Sequence, residues 1–261
     1  MARICLCHAF LYILGKGKLA VSKKNYKKKY RDGEITIVVS SRLSQAEGQE
    51  IIDRYQQSLT SKNVRTRLIF FTNDNALGLS ELYHNVMEEP KIESEIIVFC
   101  HDDIDFLKKG WDDEIYRLFK EHKDYGIIGV AGSAEFDSNG AWWNYKKKFG
   151  QVLHRHDGKS WLTAFSPLLD HDLEEVCVID GLFMAVNRSR VSKNFDKDLH
   201  GFDFYDIDFC LANYIDGKTK IGVTTNIRIA HNSIGELSQG WHDNRTIVNN
   251  KYKEYYPIKV K

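Results

Sequence analysis

The sequence has 261 residues and a mass of 30.3 kDa, long enough to bury a substantial core. Hydrophobic residues make up 43% and charged residues 28%, with 18 Gly and 3 Pro, which excludes collagen-like, mucin-like and broadly disordered chains. Basic and acidic residues number 37 and 36, so overall charge points to no nucleic-acid partner, and no apolar run reaches the roughly 20 residues of a membrane span.

Charge is unevenly placed. Residues 1–31 hold nine Lys/Arg and no acid, which leaves the remainder at net −8. This basic N-terminal extension, residues 1–33, also contains the apolar stretch Ile4–Leu14. A secretory signal fits poorly, because most of the positive charge follows the apolar part. Two readings stay open: a leading helix with a solvated basic linker, or peripheral contact with an anionic membrane surface. Five cysteines do not make a disulfide framework; Cys100, Cys177 and Cys210 lie in apolar stretches and read as small core residues of a reducing, cytoplasmic protein.

From residue 34 to 257 the chain reads as one α/β domain, followed by a tail at 258–261. The predicted strand Ile35–Val39 ends at Ser40-Ser41-Arg42, and an amphipathic helix follows over Ser44–Leu59. Leu68–Phe71 is a second strand, Leu79–Met87 a short helix, and Ile96–Cys100 a third strand, ending at His101-Asp102-Asp103-Ile104-Asp105. A helix starts near Trp111, and Tyr125–Ala131 is a fourth strand. Short continuous apolar strands separated by helices predict a mostly parallel sheet covered on both faces, with ligands bound beyond the carboxyl ends of its strands. Residues 132–166, rich in Gly, Trp, His and Lys, read as long loops or a small excursion, with Trp142, Trp143 and Trp161 able to stack on a ring. Val176–Ile179, Leu182–Val186, Ile221–Thr225 and Ile227–His231 are further strands, a helix runs to about Tyr214, and the stretch after Trp241 is polar and aromatic.

Three features carry chemistry. Three carboxylates directly after a buried strand repel one another unless a cation or solvent screens them. Residues two apart on an extended segment share a side, so Asp103 and Asp105 can converge on Mg²⁺ or Mn²⁺; the alternative is a solvated acidic turn. Asp206 and Asp208, at the mouth of a helix, suit a general base or simple stabilisation of the helix start. His231, closing a late strand, suits a further ligand to the same cation or a structural role.

The ordered strings Ser40-Ser41-Arg42, Leu79–Asn85, Phe99–Ile104, Gly129–Gly132, Ile179–Val186, Phe204–Cys210 and His231–Gly235 resemble the family-2-type glycosyltransferases of GT-A fold, most closely the branch similar to the streptomycin biosynthesis protein F. The resemblance covers roughly residues 34–257. It implies a GT-A sheet flanked by helices and a metal-dependent, inverting transfer of a hexosyl-type sugar. The donor would be a nucleoside-diphosphate sugar, and the acceptor a glycan, lipid-linked or protein-linked sugar, in glycan or surface polysaccharide assembly. A silent nucleotide-sugar-binding module and a sugar-nucleotide nucleotidyltransferase are the competing classes, the latter wanting a glycine-rich phosphate loop that Ser40-Ser41-Arg42 does not supply. By the family pattern, Ser40, Ser41, Ser80, Tyr83 and Asn85 line the nucleotide pocket, Asp180 and Gly181 lie under the acceptor, and Asp103, Asp105 and His231 hold Mn²⁺ or Mg²⁺. Asp102, where many relatives of that branch carry Gln, adds a charge to the donor-binding set. Asp206 matches the catalytic aspartate, but Tyr205 replaces the glutamate that precedes it, so the base stays open between Asp206 and Asp208.

Overall fold

The computed structural model describes residues 30–235 and 237–260. The basic N-terminal segment and its proposed membrane contact lie, as far as residue 29, outside the described residues. Among the described residues, no helix is long and apolar enough to cross a membrane.

The first half follows the expected alternation: β1 (Arg31–Ser41), α1 (Gln49–Ser58), β2 (Arg65–Thr72), α2 (Leu79–Glu88), β3 (Ser94–His101), the short β4 (Ile104–Phe106), α3 (Trp111–Glu121) and β5 (Tyr125–Gly129). Strand β1 pairs in parallel with β2 on one side and β3 on the other, and its Ile35, Ile37, Val38 and Val39 are fully buried. That burial on both faces is why the run is continuously apolar rather than alternating. Helix α1 starts later than its pattern suggests. Ser44 and Glu47 exchange hydrogen bonds in a turn, and Gly48 lies against the Phe70 ring, where a Cβ would come within 2.3 Å.

The middle of the chain is β6 (Ala131–Ser133), β7 (Glu135–Phe136), β8 (Lys148–His156), β9 (Lys159–Ala164), β10 (Glu174–Val176), β11 (Val178–Ile179) and β12 (Phe183–Asn187). The stretch expected to be loops is thus largely strand. Val176–Ile179 is not one strand: the chain changes sheet at Cys177, with β10 in the large sheet and β11 in a second one. Cys100, Cys177 and Cys210 are free and buried.

The end of the chain is α4 (Tyr205–Ile215), β13 (Lys220–Val223), β14 (Ile229–His231), α5 (Gln239–Tyr252) and β15 (Ile258–Lys259). The polar stretch after Trp241 is therefore a helix, capped by Ser238, whose Oγ accepts from the Trp241 backbone. The expected tail includes a strand, since β15 pairs with β7.

The large sheet has the order β10-β13-β5-β12-β3-β1-β2. Its β3-β1-β2 portion is parallel, and β12 runs antiparallel to both β3 and β5. The second sheet, β11-β6-β8-β14-β4 with β9 on β8, stands at the carboxyl rim of the first. The rim is where a mixed α/β sheet exposes strand ends to a ligand.

Candidate active site

Register delivers the site. In β14, His231 pairs with Ile104 of β4 on one side and with His154 of β8 on the other. The ladder continues past the strand, because the Asn232 N–H donates to the Asp103 carbonyl at 2.8 Å. Strands β14 and β8 and the turn before β4 thereby bring His231, His154 and Asp103 to one place, and β3 adds His101 from the large sheet.

His101, Asp103 and His231 present one ligand atom each within 4.8 Å of one another. Asp103 Oδ2 is 3.3 Å from His231 Nε2, and Asp103 Oδ1 is 3.9 Å from His101 Nδ1. Asp103 Oδ1 is buried without a hydrogen-bond partner. A buried carboxylate oxygen facing an imidazole, with no donor of its own, fits a cation ligand. Burial opposes the charge on Asp103, but the hydrogen bond and charge of His231, with His101 behind it, outweigh burial and hold the carboxyl well below the usual range. Burial also pulls on His231, and the Asp103 carboxylate outweighs it and raises the imidazole. His101 is pushed down by burial.

Asp105 is not part of this cluster. Arg54 Nη1 and Arg155 Nη1 donate to its two oxygens at 2.7 and 2.9 Å, and Asn232 Nδ2 donates at 3.0 Å. Asp103 sits in the turn before β4 and not on the extended strand, so the same-side argument does not apply to it. His101, which sequence reasoning passed over as a ligand, takes the place expected of Asp105. Its spacing, two residues before Asp103 at the end of a buried strand, was the available signal. Tyr205, where the glutamate was expected, is buried with its hydroxyl 3.0 Å from His101 Nε2, which leaves Nδ1 to face Asp103.

His101 and His231 of the cluster line a cleft of about 550 Å³ that also holds Asp180, Gly181 and Asp206. Asp206 Oδ2 accepts from the Gly181 N–H at 2.7 Å, and Oδ1 from the Ile207 N–H at 2.8 Å. Burial, and then the Asp180 carboxylate, push the Asp206 pKa up to about 7 against those two hydrogen bonds. A Cβ on Gly181 would stand 2.2 Å from the Tyr205 hydroxyl and 3.0 Å from Asp206 Oδ2, so glycine is what lets these groups approach. Phe204, immediately before α4, has φ +64 and ψ 0, an uncommon conformation for an aromatic residue, and marks the turn that aims Asp206.

Asp208 does not reach the cleft. It is 1% exposed, and Lys251 Nζ and the Tyr252 hydroxyl donate to Oδ1 at 2.7 and 2.9 Å. Two residues apart on a helix is about 200° around its axis, so these two acids face opposite ways. Tyr83 is likewise a core residue, 1% exposed and packed on Phe99, Phe195 and Tyr205. Ser40 pairs in register with His101, Ser41 Oγ accepts from the Leu43 N–H, and Ser80 is buried with its hydroxyl unpartnered. Asn85 is half-buried on α2, and the Asp102 carbonyl accepts from Arg54. None of these six lines the cleft, whereas Asp180 and Gly181 do.

The profile of a glycosyltransferase-like family matches residues 17–257. The chain is 24% identical over 177 residues to a protein of Fuscovulum blasticum described as ATP synthase subunits region ORF 6, which covers 66% of this chain and 65% of that one, just under two thirds of its length. The solved structure of GalNAc-T7 with UDP, GalNAc and Mn²⁺ superposes with a TM-score of 0.50 at 10% identity, over 85% of this chain and 50% of the other. TarS of S. aureus matches with a TM-score of 0.47 at 8% identity, over 84% and 39%. The architecture, a central sheet flanked by helices, is that of the GT-A fold.

Proposed function

The chain belongs to this glycosyltransferase-like family, and we propose that it moves a sugar from a nucleoside-diphosphate donor to an acceptor hydroxyl, with a divalent cation and inversion at the anomeric carbon. The observation that carries the reading is the shared cleft: His101 and His231, which flank the Asp103 carboxylate and its orphaned Oδ1, line it together with Asp206, a carboxylate with a pKa of about 7. His101, Asp103 and His231 would hold the cation, and two nitrogen donors suit Mn²⁺ better than Mg²⁺. Bound there, the ion supplies positive charge where the departing diphosphate gains negative charge. The GalNAc-T7 structure contains UDP, GalNAc and Mn²⁺, the ligand class proposed here.

Asp206 acts as the base. Two backbone N–H groups fix its oxygens, and its raised pKa matches the proton affinity a base needs near neutrality. The acceptor hydroxyl gives its proton to Asp206 while its oxygen attacks the anomeric carbon. One displacement, with the leaving group on the opposite side, inverts the centre. Tyr205 holds the ring of His101 in place. The proposed donor is of hexosyl type, as the sequence resemblance implies.

The test is a melting screen of the four nucleoside diphosphates with Mn²⁺, with Mg²⁺ and with a chelator. A ligand that binds only the folded protein at 100 times its Kd stabilises it by about 2.7 kcal/mol, which raises Tm by about 5 °C or more. At least one nucleotide should do so with Mn²⁺ and not with chelator. No response to any nucleotide with either metal overturns the reading.

A further inference from the structure

The outer part of the same cleft differs in chemistry from the metal end. Trp142 and Trp241 are buried behind its walls, while Trp143 and Phe165 are half-buried and Phe202 is 46% exposed at its mouth, beside Leu237 at 55%. The rings adjoin: Trp143 lies 6.4 Å from Trp241, Trp241 lies 5.2 Å from Phe204, and Trp142 lies 4.8 Å from Phe165, centroid to centroid. Large apolar side chains exposed at the rim of a cavity are unfavourable in water and favour a ligand with an apolar face.

The charged groups there are acids. Asp180, Asp203 and Asp206 line the cleft, and no Lys or Arg among the described residues does. The nearby cations stand behind the lining residues. Lys148 Nζ donates to the Trp143 carbonyl at 2.6 Å, Arg155 to Asp105, and Arg245 stacks over the Trp241 ring at 5.2 Å. A phosphate, sulfate or carboxylate in this region would meet three carboxyl groups and no lining Lys or Arg, a repulsive arrangement. Asp203 is held for a purpose of its own. Ser238 Oγ donates to its Oδ2 at 3.1 Å, and Asn244 Nδ2 donates to its carbonyl at 2.9 Å, which ties the segment before α4 to α5. It stands three residues before Asp206, across the left-handed turn at Phe204.

We propose that this outer region is the acceptor subsite, and that it selects a pyranose without anionic groups, whose apolar face stacks on Phe202 and Trp143 while Asp203 accepts hydrogen bonds from its hydroxyls. The proposal rests on the transferase reading and names the acceptor class for it. Phe202 and Asp203 are specificity residues; the proton transfer stays with Asp206.

The experiment uses the full chain, saturated with Mn²⁺ and the nucleoside diphosphate that responds in the melting screen. It is presented with a panel of oligosaccharides ending in neutral hexoses, deoxyhexoses or N-acetylhexosamines, and with matched uronate, sialylated, sulfated, phosphorylated and amino-sugar members. Binding should be confined to termini that carry no anionic group. Phe202→Ala and Asp203→Asn should each weaken glycan binding about tenfold, with nucleotide affinity within about twofold of wild type. The proposal is overturned if the bound members are anionic sugars, if no member binds, or if the variants bind glycan normally. It is also overturned if Phe202→Ala weakens nucleotide and not glycan, which would make the aromatic wall a base pocket. Absence of any nucleotide response in the first step is a separate result and counts against the transferase reading instead.

Discussion

The pH dependence of transfer tests the assignment of Asp206 most directly. A carboxyl pushed up to about 7 is about one-tenth ionised at pH 6 and about nine-tenths ionised at pH 8. Only the ionised form accepts a proton, so kcat/KM for the acceptor, measured with saturating donor as nucleoside diphosphate release, should rise about tenfold between those values and then level off. Asp206→Asn should lower the rate by about 10²- to 10⁴-fold and remove the slope, with Mn²⁺-dependent nucleotide binding retained. Stability offers a second readout. Because burial raises this pKa, the folded state holds the proton more tightly than the unfolded state. That contribution is complete below about pH 4 and is lost as pH rises to about 7, so Asp206→Asn should flatten the stability profile across that window. An acceptor profile with its midpoint near 4, or an Asp206→Asn enzyme that keeps more than about a tenth of the rate at pH 8, refutes the reasoning.

Other substitutions separate neighbouring roles. Asp103→Asn should abolish the Mn²⁺-induced rise in Tm, whereas Asp105→Asn should lower Tm by loosening Arg54 and Arg155 and still respond to Mn²⁺; the reverse pattern would restore Asp105 as a ligand. Gly181→Ala forces a Cβ to 2.2 Å from the Tyr205 hydroxyl and should cost about 1–3 kcal/mol in urea denaturation, with transfer falling further than stability accounts for. Lys251→Met leaves the buried Asp208 with Tyr252 as its remaining side-chain partner. It should destabilise the protein by about 2 kcal/mol, less than a fully buried pair would, because Lys251 is itself partly exposed; an unchanged unfolding midpoint would show that Asp208 is neutral in the fold.

Periodicity made β1, β2 and β3 legible because each is buried on both faces and so reads as a continuous apolar run. The second sheet was less visible because most of its strands are two or three residues long and their partners are far apart in sequence: β8 pairs with β6, β9 and β14, and only the β9 pairing is local. That local pairing did carry a signal, the Asp157-Gly158 step, where both residues take positive φ (48 and 71) and turn β8 into β9. The site shows the same division. Asp103, Asp206 and His231 could be picked out because each ends or begins an apolar element, but which acids converge depends on register and on where a turn begins. Asp103 lies in a turn and Asp105 on a strand, so two residues of one acidic string face different partners: a pair of imidazoles for the first, a pair of guanidinium groups for the second. Asp206 and Asp208 part in the same way across α4. Spacing in sequence gives the set of groups near a strand end, and the long-range pairing of β4, β14 and β8 decides which of them meet. The pairing that places His231 beside Asp103 also places Asn232 on Asp105, so the arginine-held acid and the proposed metal ligand are fixed by one ladder. A shift of that ladder by one residue would turn His231 to the opposite face and leave Asp103 with a single imidazole. The proposed metal response would therefore measure how β14 is seated as much as the ligands themselves.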